Sequence, residues 1–227
     1  MAAIIFDLDN TLYSEETYVR SGFKAVSNYL AKKHNLEECI IFDEMMNIFN
    51  TKGRGKVFDD ILNEFKLSNK ENVLSLVYVY RYHYPNIQLY DDSLEILKKL
   101  SKNFKLGLIT DGRAFVQKRK IESLKLEDVF DSIMCTDVLG EKFWKPSHIP
   151  FEITLDYLEC DVGESFYIGD DPFKDFKAPK ELGMKTIQVK IEKEMDYWEK
   201  RGYKRFDADF TVNNLNEILD IVCDLND

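Results

Sequence analysis

The chain opens on an apolar run, Ile4, Ile5 and Phe6, that leads into Asp7, Leu8, Asp9, Asn10, Thr11, Leu12 and Tyr13. Such a run predicts a buried parallel strand, which delivers Asp7 and Asp9 to the C-terminal edge of a sheet, where open α/β folds build ligand sites. Side chains alternate with period two along a strand, so a strand carried through to Asp9 points both carboxylates the same way. After Tyr13 the pattern turns helical and stays so to about Tyr84, with apolar residues three and four apart over Thr17 to Lys33 and Val57 to Phe65. From Asp91 onward, helices and strands alternate. Helices are predicted over Asp92 to Lys102, Ala114 to Leu124, Ile149 to Leu158, Phe173 to Leu182 and about Leu215 to Cys223. Strands are predicted over Lys105 to Thr110, Ser132 to Cys135, Phe166 to Gly169 and Lys185 to Val189.

Alternation of this kind predicts an α/β fold, a Rossmann-like parallel sheet covered by helices on both faces. Its strands come from residues 1–13 and 89–227, so the helical stretch 14–88 reads as a cap inserted into a catalytic core. A length of 227 residues, with 44% hydrophobic and 32% charged positions, suits a folded protein of this organisation. The net charge of −10 argues against a nucleic-acid partner. Lys98-Lys99 and Lys118-Arg119-Lys120 are the local exceptions, and their leucine- and isoleucine-rich surroundings read as solvated helix faces. Four scattered cysteines without C-x-x-C spacing point to a reducing, cytoplasmic setting, and no run reaches membrane-spanning length.

Three further patches supply what two adjacent carboxylates need for chemistry on a phosphate ester. They are Thr110-Asp111-Gly112, Lys145-Pro146, and Gly169-Asp170-Asp171-Pro172-Phe173-Lys174-Asp175. A phosphate monoester repels nucleophiles, so its hydrolysis needs positive charge and a positioned attacking group together. Asp7 is placed to attack and form an acyl phosphate, and Asp9 to protonate the leaving alkoxide and then deprotonate water, provided its surroundings raise its pKa toward neutrality. Clustered aspartates beside a phosphate require a cation, and hard carboxylate oxygens suit Mg²⁺. Asp7, the Asp9 carbonyl and Asp170 form the expected shell, joined directly or through water by Asp171 or Asp175. Lys145 balances charge near Asp7, while Thr110 and the turns holding Asn10, Asp111 and Gly112 donate to the phosphate.

Taken in order, the four patches resemble the motifs of the haloacid dehalogenase superfamily of aspartate-nucleophile phosphohydrolases, and the helical insert resembles its C1-type cap. The resemblance implies a Rossmann-like core, dependence on Mg²⁺, a phospho-aspartate intermediate and a small-molecule phosphate ester as substrate. Tyr80-Arg81-Tyr82-His83-Tyr84-Pro85 and the tract from Gly107 to Lys120 look most like phosphatases of flavin or pyrimidine mononucleotides. One departure is Pro146-Ser147-His148 after Lys145, where relatives more often carry Asp-Pro.

Other reactions fit the same motifs less well. A phosphomutase returns the phosphoryl group to its substrate, which motifs alone do not exclude. A dehalogenase has no use for a proton donor at Asp9, and a receiver-like switch does not resemble a chain with a large helical insert after its aspartate strand. His34, His83 and His148 lack ligand spacing and read as structural or surface residues, and the tyrosines from Tyr78 to Tyr84 read as packing. Gly53-Arg54-Gly55-Lys56 reads as an exposed inter-helix loop. The substrate's identity and the oligomeric state are not written in these patterns.

Overall fold

A computed structural model describes residues 2–191 and 204–224. Ala3–Phe6 form β1, with every residue buried, as expected for a strand covered on both faces. β1 lies at the centre of a six-stranded parallel sheet with β2 (Lys105–Thr110), β3 (Ser132–Cys135), β4 (Phe166–Gly169), β5 (Lys185–Val189) and β6 (Phe210–Val212), in the order β3-β2-β1-β4-β5-β6. Ile5 pairs with Gly107 on one side and Tyr167 on the other. The strand order reverses between β1 and β4, which makes the C-terminal ends of β1, β2 and β4 the topological switch point where such sheets form clefts.

The chain divides into two compact units, Met1–Ser14 with Gln88–Asp227, and Glu15–Ile87. In the first unit, α5 (Ser93–Leu100), α6 (Ala114–Leu124), α7 (Ile149–Leu158), α8 (Lys177–Leu182) and α9 (Glu217–Asp224) accompany the sheet. Ala3 and Ile5 pack with Ile109, Phe151, Leu155, Tyr167 and Phe176 in one apolar cluster. The second unit is α1 (Glu15–His34), α2 (Glu38–Lys52), α3 (Val57–Glu64) and α4 (Val73–Tyr82). Val19, Phe23, Val26 and Leu30 recur three and four apart on α1, which makes one apolar stripe that packs with Ile41, Met45, Ile61 and Leu76.

Several boundaries differ from expectation for local reasons. β1 ends at Phe6 rather than running to Asp9, because Asn10 enters the left-handed region at φ 55° and Leu12 N–H turns back to Leu8 C=O. The helix expected from Phe173 begins only at Lys177, since Asp171 and Asp175 fold the preceding residues into a hydrogen-bonded turn. The helix expected over Asp92 to Lys102 spans Ser93–Leu100, and the closing one Glu217–Asp224. β6, only three residues long, was not expected. Lys120 corrects the reading of its cluster as a solvated face: it is buried at 3% exposure on the inner side of α6. Of the tyrosines, Tyr80 packs against Tyr18, Phe23 and Phe58, whereas Tyr78 and Tyr82 are exposed and stack on each other. Arg54 reaches back to Glu15 with two hydrogen bonds of 2.8 and 2.7 Å.

Candidate active site

Asp7 is the first residue past β1, tied to the neighbouring strand by its N–H to Ile168 C=O at 2.8 Å. The hydrogen-bond ladder therefore fixes its backbone, and at 1% exposure its carboxylate requires a partner. Lys145 supplies it, with Nζ 2.9 Å from Asp7 Oδ1. The same ammonium donates to Asp175 Oδ1 at 2.8 Å and to the Tyr167 hydroxyl at 2.9 Å. Three acceptors account for all three N–H bonds of an ammonium. Lys145 is thus an internal counter-ion, and the flanking carboxylates of Asp175, Asp7 and Asp111 overcome its burial to hold its pKa well above the usual lysine range.

Asp175 is equally enclosed. Its Oδ1 faces Lys145 and Tyr167, and its Oδ2 accepts from Asp171 N–H at 2.9 Å. This packing explains Gly169 at the end of β4: a Cβ there would stand 2.5 Å from Asp175 Oδ2. Asp171 spends Oδ1 on Phe173 N–H at 2.9 Å, so it shapes the turn. Asp170 is different. Burial drives its carboxyl well above the usual range, Lys174 draws it back, and Asp175, Asp7 and Asp171 push it further up.

Oxygens of Asp7, Asp170 and Asp175 lie within 4.8 Å of one another. Asp7 Oδ2 is buried without a hydrogen bond, and Asp170 is crowded by like charges. Lys145 and Lys174 offset part of this negative charge, and the clustered hard oxygens, one of them without a hydrogen bond, make a donor set that fits a Mg²⁺ ion. Asp171 is not in this group of three, and neither is the Asp9 carboxylate.

Asp9 belongs to a second network. Its Oδ1 accepts from the Tyr13 hydroxyl and from Lys120 Nζ at 2.7 Å. Its Oδ2 accepts from Lys120 at 2.9 Å and Gln117 Nε2 at 3.0 Å. Burial alone would raise the Asp9 carboxyl, but the charge and hydrogen bonds of Lys120, with those of Tyr13 and Gln117, bring it down to about 2, which corrects the expectation of a carboxyl raised toward neutrality. Gln117 and Lys120, three apart on α6, share one helix face, so one helix grips the turn after β1. Gln117 Nε2 also donates to Thr110 Oγ1 at 2.6 Å, which joins the ends of β1 and β2 and leaves the threonine O–H to donate elsewhere.

The remaining expected residues lie in the connecting turns. Asp111 Oδ1 accepts from Thr136 Oγ1 at 2.7 Å and from Lys145 N–H at 3.2 Å, so it orients the loop that carries Lys145. Gly112 adopts φ +116°, open to glycine and strained for other residues, and directs the chain into α6. Asn10 sits in the left-handed turn already described. Gln117, Lys120, Tyr13, Tyr167 and Lys174 were not singled out for this site from sequence. A signal existed for α6, where Gln117 and Lys120 fall on the stripe with Ile121 and Leu124, all four buried.

The haloacid dehalogenase-like hydrolase family matches residues 4–189. The glyceraldehyde 3-phosphate phosphatase of Methanocaldococcus jannaschii is 32% identical, over 98% of this chain and 97% of its own length. Among solved structures, a HAD phosphatase from Thermococcus onnurineus superposes with a TM-score of 0.62 at 23% identity, covering 98% of both chains. A 2-haloacid dehalogenase from Pseudomonas syringae gives 0.64 at 21% identity, covering 99% of both chains. Phosphatase and dehalogenase share this fold, so the fold alone does not choose the reaction.

Proposed function

The chain belongs to the haloacid dehalogenase-like hydrolases, and on that premise we propose that it hydrolyses a small-molecule phosphate monoester, with Asp7 as the attacking carboxylate. The observation that carries this reading is the asymmetry of Asp7. One oxygen is locked by Lys145, while the other, Oδ2, is held in place without a hydrogen bond. A carboxylate fixed in that way has already lost its rotational freedom, which lowers the entropy cost of reaching the in-line geometry for attack.

Attack of Asp7 on phosphorus forms an acyl phosphate and expels an alkoxide. Thr110, whose hydroxyl already accepts from Gln117, offers its proton to a phosphoryl oxygen. Asp9 stands in this structure as an anion, and because its ion pair with Lys120 makes it a weak base, that contact has to loosen before it takes a proton from the water that attacks the acyl phosphate. To hand a proton to the alkoxide in the first step, its carboxyl has to leave Lys120. Asp7, Asp170 and Asp175 are the grouped residues that would hold Mg²⁺, which would supply positive charge to the phosphoryl oxygens.

The phosphate named for the Methanocaldococcus relative is a three-carbon compound, which makes small phosphorylated aldehydes and hydroxy acids the first substrates to try. Flavin and pyrimidine mononucleotides form the second group, from the resemblance of the tract Tyr80 to Pro85. Cys39, Cys135, Cys160 and Cys223 are all free thiols, which suits work in the reducing cytoplasm. No helix among the described residues is long and apolar enough to cross a membrane. The test is phosphate release from this panel and from p-nitrophenyl phosphate, with and without Mg²⁺. Asp7→Asn is expected to lower kcat by about a thousandfold or more. Phosphorus NMR of the products separates hydrolysis from transfer, and no release from any ester in the panel would refute the proposal.

A further inference from the structure

Two lysines stand beside Asp7 in opposite circumstances. Lys145 has a fully buried side chain and three acceptors within 2.9 Å, so it is fixed. Lys174 keeps 27% of its side chain exposed, and its Nζ lies 3.5 Å from Asp7 Oδ2, an ion pair too long and loose to satisfy that oxygen. The acidic group around it is the one that fits a divalent cation: Asp7, Asp170 and Asp175 within 4.8 Å of one another.

An ammonium and a divalent cation seated on the same oxygen repel each other, and they cannot share Oδ2 at bonding distance. Of the two lysines, Lys174 is the one with room to yield. It stands in the turn between Asp171 and Asp175, its head is carried on four methylenes, and part of that side chain already meets solvent. We propose that Lys174 is an exchangeable counter-ion for Asp7: its ammonium neutralises Oδ2 when no divalent cation is present, and the cation displaces it toward solvent on binding. The arrangement limits repulsion in the metal-free carboxylate cluster, and it weakens metal affinity in return. The proposal rests on the reading of Asp7 and Asp170 as metal-holding residues.

Metal binding without substrate tests it. Mn²⁺ is titrated into the purified full chain and free Mn²⁺ is followed by electron paramagnetic resonance. Lys174→Met is expected to tighten binding by roughly tenfold, because a positive charge a few ångströms from the ion is removed. Lys174→Gln, which keeps a polar head without charge, is expected to tighten it similarly, and Lys174→Arg to stay within about twofold of the unaltered protein. Thermal melts add a second readout: Mn²⁺ should raise the midpoint more in Lys174→Met than in the unaltered protein. Equal or weaker Mn²⁺ binding by both Met and Gln variants would overturn the proposal. Asp170→Asn separates it from the reading beneath it. If Asp170→Asn binds Mn²⁺ as the unaltered protein does, or the unaltered protein binds none, the metal site itself is wrong and the proposal falls with it.

Discussion

Tyr167→Phe is the most direct probe of how the site is held together. Tyr167 is fully buried, and its ring meets Phe151 edge-on at 4.9 Å and 77°, a contact that phenylalanine keeps. Only the hydroxyl is lost. That hydroxyl accepts from Lys145 Nζ at 2.9 Å and donates to Asp175 Oδ1 at 3.3 Å. The second bond is long and contributes little, but the first satisfies one of the three N–H bonds of a buried ammonium. Hydrogen bonds to charged groups contribute about 1.5–3 kcal/mol, so a loss of about 2 kcal/mol is expected. Urea unfolding followed by circular dichroism measures it, with Tyr157→Phe as a control. Tyr157 is 71% exposed, and its variant should stay within about 0.5 kcal/mol of the parent. Lys145 also orients Asp7, so Tyr167→Phe should lower kcat more than it changes KM. A Tyr167→Phe protein with parental stability and parental kcat would show that Lys145 is held by its two carboxylates alone.

Lys120→Met removes the cation of a nearly buried pair and leaves Asp9 to Tyr13 and Gln117; a stability loss of about 3 kcal/mol is expected, read by urea unfolding. The same variant should lose about tenfold or more in kcat with KM little changed, and an unchanged kcat would remove Lys120 from the positioning of Asp9. In the helical unit, burial alone would raise the Glu71 carboxyl, but hydrogen bonds from Lys33, His34 and Tyr29 and the Lys33 charge bring it below its ordinary value. Its ionised form therefore stabilises the fold above the unfolded carboxyl pKa, and that contribution is lost as pH falls through the lowered folded value. Comparing urea midpoints at pH 6 and pH 3 should show a smaller acid-induced drop in Glu71→Gln than in the parent; an equal drop would assign the acid sensitivity elsewhere.

What the sequence displayed and what it concealed divide along a physical line. Strands buried on both faces leave a continuous apolar signature, so β2 over Lys105–Thr110, β4 over Phe166–Gly169 and β5 over Lys185–Val189 appear at the expected bounds. β6 is three residues at the edge of the sheet with one buried position, and its pattern is too short to register. The turns after β1 and β4 were misjudged because side chains decide them. Asp171 and Asp175 draw the chain into hydrogen bonds that compete with a helix start, an interaction that periodicity does not encode. The split of the acidic residues into two networks was hidden for a related reason. Which carboxylate receives which lysine depends on α6 meeting the turn after β1, and Lys120 and Asp9 are far apart in sequence. A polar residue on an otherwise apolar helix stripe is nonetheless a readable sign, because burying an ammonium requires a buried acceptor. Lys120 lies on the stripe of Gln117, Ile121 and Leu124, and the only question its pattern leaves open is which acid faces it. The fold answers with Asp9, so the residue assigned to proton transfer is held as an anion by a helix from outside the turn that carries it.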